Sequence, residues 1–360
     1  MKTEIQFLDQ VIGDLQARRA ELVAAANPEP VVVTPEPEPQ PQPEPEPVVV
    51  TPAPAPVRVP MLMPGVNLAS AEFAADKLPG VHGRDYLYPD DWEFGGWAKK
   101  GFKVIRLPVL MERVQPQAMG EFSSADIQQV DRCVKTAASV GLSIIIDAHN
   151  YGQRAGKKLD VEDAPNFWWR MGTRYRDAAN VIFGIMNEPS AFGPTDWQYV
   201  LRKCVGAIRV TGAKQLILAP GAGWNGAHDF VANGNAAAFE GFTDSGNNVA
   251  IEVHQYLDGD SSGTHLQEYI SGKGATVLKP VTEWARSKGF KLFLAEHGFA
   301  MPAGETEARA MLQYMTDNSD VWLGHTAWAA GQWWGDYAFT LEPTSQGDRP
   351  QVAVLQSYMG

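Results

Sequence analysis

The sequence predicts an α/β chain whose main body is a (β/α)8, or TIM, barrel, preceded by a short helix and a polyproline linker. Three observations predict it. Eight short apolar runs recur at 61–66, 103–109, 143–148, 181–186, 215–219, 248–253, 291–295 and 325–329, with starts 33 to 43 residues apart. That period fits one strand, one helix and two loops. Amphipathic segments lie between the runs, among them Ser124–Val140, Trp197–Thr211, Pro280–Lys288 and Glu305–Asp317. Polar residues collect at the ends of the runs, where a barrel of this kind builds its site. A doubly wound sheet also alternates strands and helices. However, the first run leads into Gly65-Val66-Asn67-Leu68, which is not a glycine-rich phosphate fingerprint.

Composition divides the 360 residues into three regions. Residues 1–27 carry Ile5, Leu8, Ile12, Leu15 and Leu22 in a heptad frame that Arg19 interrupts. The spacing predicts an amphipathic helix, a handle for docking or self-association. Residues 28–60 hold 13 of the 26 prolines. Proline fixes φ and removes amide donors, so the expected state is extended polyproline II, spanning up to about 100 Å. Residues 61–360 make the barrel domain.

Charge and composition exclude several classes. The net charge of −12 argues against nucleic acid, which needs clustered Lys and Arg. No apolar run approaches the ~18 residues of a membrane span. Glu4, Asp9, Asp14, Arg18, Arg19 and Glu21 leave no apolar core for a recognisable signal peptide. Cys133 and Cys204 are the two cysteines, expected as buried free thiols. The further histidines His82, His228, His265, His297 and His325 show no His-x-His or His-x-x-x-His spacing. No metal and no cofactor is therefore expected.

The strand ends supply the candidate chemistry. The second run carries Arg106, the third His149, and the fourth Asn187-Glu188-Pro189. The sixth leads to His254 and Tyr256, the seventh to Glu296-His297, and the eighth to Trp328. An arginine, three histidines, two glutamates and an asparagine in one ring are expensive to bury unless they pair. Two glutamates on two parallel strand ends can face each other across one pocket, as glycosidic cleavage requires. Trp224, Trp333 and Trp334 follow the fifth and eighth runs and are candidate stacking platforms. Trp168-Trp169 is expected to pack the third helix.

Arg106, His149, Asn187-Glu188-Pro189, His254 with Tyr256, Glu296 and Trp328 together resemble the glycoside hydrolase family 5 cellulases. The resemblance spans about residues 61–360. Ser70-Ala71-Glu72-Phe73, Gln255-Tyr256-Leu257-Asp258, Ser262-Gly263-Thr264-His265 and Trp328–Tyr337 look like one branch, the subfamily 5 endo-β-1,4-glucanases. This implies a retaining double displacement on a β-1,4-glucan, with Glu188 as acid/base and Glu296 as nucleophile. The carboxyls should then lie about 5–5.5 Å apart. Glu188 should be held protonated, and Glu296 held ionised by Arg106 and Tyr256. Asn187 would bind the sugar 2-hydroxyl. His149 and His254 would position sugar hydroxyls and the glutamates. Trp328 would floor the cleavage subsite.

Two other readings compete. The same mechanism could act on mannan, xyloglucan or a cellulosic exopolysaccharide, as a phage depolymerase would. A non-catalytic polysaccharide-binding or virion protein could carry a dead barrel, which the complete residue set opposes. Cellulose lies outside cells, so the expected site of action is extracellular. Without a recognisable signal, virion association, lysis or non-classical export is the expected route.

Overall fold

A computed structural model of the chain describes residues 63–69 and 71–359. The helix expected over 1–27, the linker over 28–60 and Ser70 lie outside the described residues. Eight parallel strands close on themselves: β1 Met63–Leu68, β2 Val104–Val109, β3 Ser143–Ala148, β4 Val181–Gly184, β5 Ile217–Pro220, β6 Val249–His254, β7 Lys291–His297 and β8 Trp322–Ala330. Each pairs with its neighbour in sequence, and β1 closes the barrel against β8. Every expected run is a strand, with shifts of a few residues at the ends.

The strands are continuous apolar runs because both faces are buried. Val104, Ile145, Ile182, Leu218, Ala250 and Phe293 form the layer inside the barrel. Alternate residues face the helices. Gly65 is needed where the wall is tight: a Cβ there would lie 2.3 Å from the Val104 carbonyl oxygen and 2.8 Å from Thr326 Cγ2.

The helices longer than one turn among the described residues are α1 Asp91–Lys99, α2 Ser124–Ser139, α3 Asp163–Tyr175, α4 Pro194–Arg209, α5 Lys279–Lys288, α6 Glu305–Asp317 and α7 Pro350–Gln356. Ser123 caps α2 by accepting from the Asp126 N–H, and Gly289 ends α5 at φ 74°. Three tryptophans fill the space between wall and helices, and each indole finds an acceptor. Trp168 donates to the Ile185 carbonyl at 2.9 Å, Trp197 to the Pro220 carbonyl at 2.8 Å, and Trp322 to Thr282 Oγ1 at 3.1 Å. Trp168 is thus packing, as expected. Cys133 and Cys204 are free and buried.

One connection departs from the repeat. Between β5 and β6 the only helix is the single turn Asn235–Ala238. Glycines 221, 223, 226, 234, 241 and 246 interrupt that stretch and disfavour a longer helix. The chain there forms a loop that carries Trp224 outward, 68% exposed. Among the described residues, no helix is long and apolar enough to cross a membrane.

Candidate active site

The site is built around Arg106. Residues two apart on a strand share a face, so Val104 fills the barrel while Arg106 stands above it at the mouth, fully buried. Its Nη1 donates to Glu296 Oε1 at 2.8 Å and to Asn67 Oδ1 at 3.0 Å. Its Nη2 donates to Asn187 Oδ1 at 2.8 Å and faces Asp147 at 3.1 Å and Glu252 at 3.4 Å. Asn67 in turn donates its amide to the Ala295 carbonyl at 3.0 Å, tying β1 to β7.

Glu296 owes its direction to an irregularity. The β6–β7 register shifts so that Val253 pairs with Leu294 but His254 pairs with Glu296. The extra residue, Ala295, lets Glu296 turn into the mouth, a common use of a bulge beside a site. Tyr256 donates its hydroxyl to Glu296 Oε2 at 3.0 Å, so both carboxylate oxygens are held. Burial acts to raise the Glu296 pKa. The charges of His254, Arg106 and His149, with the Tyr256 bond, outweigh it and hold the carboxyl below its ordinary value.

Glu188 sits just beyond β4 with φ 39°, a left-handed backbone unusual for a side-chain-bearing residue. The Tyr151 N–H donates to the Asn187 carbonyl at 3.0 Å and braces that turn. His254 Nδ1 lies 2.9 Å from Glu188 Oε1 and 3.6 Å from Glu296 Oε2. Acceptor atoms of Glu188, His254 and Glu296 all fall within 4.8 Å of one another. Burial disfavours a charged His254, but Glu296, Glu188 and Glu252 prevail and push its pKa up to about 10.

His149 behaves differently. Its Nδ1 is 2.8 Å from Asp147, its Nε2 is 3.2 Å from the Tyr151 hydroxyl, and its ring stacks on Trp328 at 5.6 Å. It hydrogen-bonds neither glutamate. Trp334 meets Trp328 edge-on at 5.4 Å, Phe73 meets Trp334 at 5.1 Å, and Trp334 Nε1 donates to the Ala69 carbonyl. Trp333 lies beside Phe73, 6.5 Å between centroids, and is 38% exposed. On the other side, Glu188, His254, Tyr256, Trp224 and His228 line a cavity of about 620 Å³. Asp258 shapes its wall by accepting from the N–H groups of Gly263, Thr264 and His265 at 3.0–3.1 Å.

One expectation is corrected. His297 does not join the ring. It follows Glu296 and so faces the opposite side of the wall, where its Nε2 meets His325 Nδ1 at 2.8 Å, both fully buried. Asn67, Asp147, Glu252 and Tyr151 also belong to the site, beyond the residues that the strand ends suggest. Strand alternation could have found two of them, since Asp147 and Glu252 each precede an inward histidine by two residues.

A closed parallel barrel that gathers two glutamates, an arginine and aromatic platforms at its carboxyl ends defines a glycoside hydrolase. The chain matches cellulase, glycosyl hydrolase family 5, over residues 69–331, and belongs to that family. It is 33% identical over 304 residues to endo-β-1,4-glucanase B of Emericella nidulans, covering 82% of this chain and 90% of that protein. Among solved structures it resembles XacCel5A in complex with cellopentaose, with TM-score 0.81, 41% identity, and coverage of 83% and 99%. It also resembles the endo-β-1,4-glucanase Xac0029 from Xanthomonas axonopodis pv. citri, with TM-score 0.80, 39% identity, and coverage of 82% and 98%.

Proposed function

We propose that the chain is an endo-acting β-1,4-glucanase that cleaves cellulose or soluble β-glucan with retention of configuration. The observation that carries this reading is the approach of Glu188 and Glu296, whose oxygens come within 4.8 Å. Retaining enzymes place their carboxyls about 5–5.5 Å apart so that one can touch the anomeric carbon. Inverting enzymes need about 6.5–9.5 Å to admit a water.

Glu296 is the nucleophile, held ionised by Arg106 and oriented at both oxygens. Glu188 is the acid/base. It delivers a proton to the glycosidic oxygen as Glu296 bonds the anomeric carbon. It then takes a proton from the water that releases the sugar. Asn187 has its oxygen committed to Arg106, so its amide N–H groups are the donors for the sugar 2-hydroxyl. Trp328 is the flat floor on which the cleaved sugar ring lies. Trp224 lines the cavity beside Glu188, and Trp334 with Phe73 packs against Trp328, so aromatic surface extends beyond the ring at the cleavage point and supports binding of a long chain. That arrangement suits internal cleavage.

Reducing-sugar release from carboxymethyl cellulose tests the reading. Wild type should release sugar and Glu296→Ala should not. A wild type inactive on every β-1,4-glucan would end it.

A further inference from the structure

Two strands repeat one short pattern. Asp147-Ala148-His149 at the end of β3 and Glu252-Val253-His254 on β6 each place a carboxylate two residues before a histidine. Both carboxylates are fully buried and both approach Arg106 Nη2. With Glu296 this makes three buried carboxylates around one guanidinium. Each uncompensated buried charge costs several kcal/mol, so the histidines are needed as partners. Asp147 Oδ2 is 2.8 Å from His149 Nδ1, and Glu252 Oε1 is 3.3 Å from His254 Nε2.

The two patterns lead to different places. His149 turns its second nitrogen to a tyrosine hydroxyl. His254 turns its second nitrogen to Glu188. Glu252, His254 and Glu188 therefore form one chain. Arg106 can only donate, so Glu252 Oε1 accepts from it, and the His254 nitrogen facing that oxygen carries a hydrogen.

We propose that Glu252 is a positioning residue for the reaction. It fixes the Nε2–H of His254 inward, so that His254 Nδ1 and Glu188 Oε1 hold between them the single proton that goes to the leaving group. As the glycosidic bond breaks, that proton passes through Glu188 to the departing oxygen. The pair regains one from the attacking water in the second step. The raised His254 pKa keeps the pair loaded at neutral pH. The groups facing this chain are Arg106 from β2, Asp147 and His149 from β3, Tyr151 after β3, Tyr256 after β6 and Glu296 from β7. Glu72 and Tyr337 add weaker fields, the first at His149 and the second at Glu296.

The inference rests on Glu188 as acid/base, and kcat/KM against pH on a soluble glucan separates the two. Glu252→Gln removes a negative charge beside the pair and weakens its hold on the proton. The basic limb should move down by about one pH unit, and kcat should fall ~10–100-fold with KM changed less than ~3-fold. Asp147→Asn removes an equal charge from Arg106 but lies off the chain, and should leave the basic limb in place. An unmoved limb in Glu252→Gln, or an equal displacement in Asp147→Asn, overturns the proposal in an enzyme that is still active. If Glu252→Gln does not fold, the imidazole ¹⁵N spectrum of wild type decides, with His254 assigned by its loss in His254→Asn. Nε2 protonated throughout the active pH range is expected, and an unprotonated Nε2 overturns the proposal. Failure of the function reading looks different, because wild type itself would be inactive on glucan.

Discussion

Arg106 Nη1 donates to Glu296 Oε1 across 2.8 Å, with the guanidinium wholly out of solvent and the carboxylate nearly so. A permanent cation in that position favours the ionised form of Glu296, the proposed nucleophile. Removing or displacing it raises the Glu296 pKa, so the acidic limb of kcat/KM moves to higher pH. Arg106→Lys cannot reproduce the forked contacts to Glu296, Asn67 and Asn187. We expect kcat to fall ~100-fold or more, with the acidic limb about one pH unit higher. An unchanged acidic limb would remove Arg106 from this role.

Tyr256 secures the other oxygen of Glu296. Its ring stacks on Phe339 at 6.0 Å, so Tyr256→Phe keeps the packing and loses only the hydroxyl. A hydrogen bond to a charged group contributes about 1.5–3 kcal/mol. The expected result is a kcat lower by ~10–100-fold at little change in KM, with the acidic limb displaced upward. Steady-state kinetics across pH measures both.

Trp224 tests the length of the binding surface. Its exposure means that Trp224→Ala removes little folded-state packing, and the melting temperature should be unchanged. Stacking on a sugar ring at ~1 kcal/mol gives KM on polymer higher by ~3–10-fold with kcat preserved. Equal KM values for variant and wild type would assign the groove another path.

The His297–His325 pair predicts acid sensitivity. Burial pushes the His325 pKa down to about 4, and burial together with His325 pushes His297 well below its usual range. A base with a depressed folded pKa stabilises above its unfolded value and loses that contribution as pH falls through the folded one. The window for His325 runs from about 6.5 down to about 4 and is worth about 3 kcal/mol. Melting temperature should therefore drop steeply between pH 6.5 and pH 4, and less steeply in His325→Gln. Parallel curves for the two proteins would contradict the assignment.

Much of the barrel was legible because buried parallel strands are written as continuous apolar runs. The runs around Ile145 and Phe293 could hardly be anything else at that spacing. The loop around Trp224 was less legible, since its glycines fix where a helix fails but not what replaces it. At the site, Arg106, Glu188, His254, Tyr256 and Glu296 could be read from their place at strand ends. His297 was not legible from its place at a strand end, because neighbours on a strand point to opposite faces and Glu296 holds the face toward the mouth. The direction of Glu296 itself depends on the bulge at Ala295, which only the β6–β7 register reveals.

The central claim is that Glu188 and Glu296 act as a retaining pair. Proton NMR of the first sugar released from a cello-oligosaccharide tests it most directly. Retention predicts that the β-anomer appears first and the α-anomer grows in later by mutarotation. The α-anomer appearing first would mean a single displacement by water and would contradict the account.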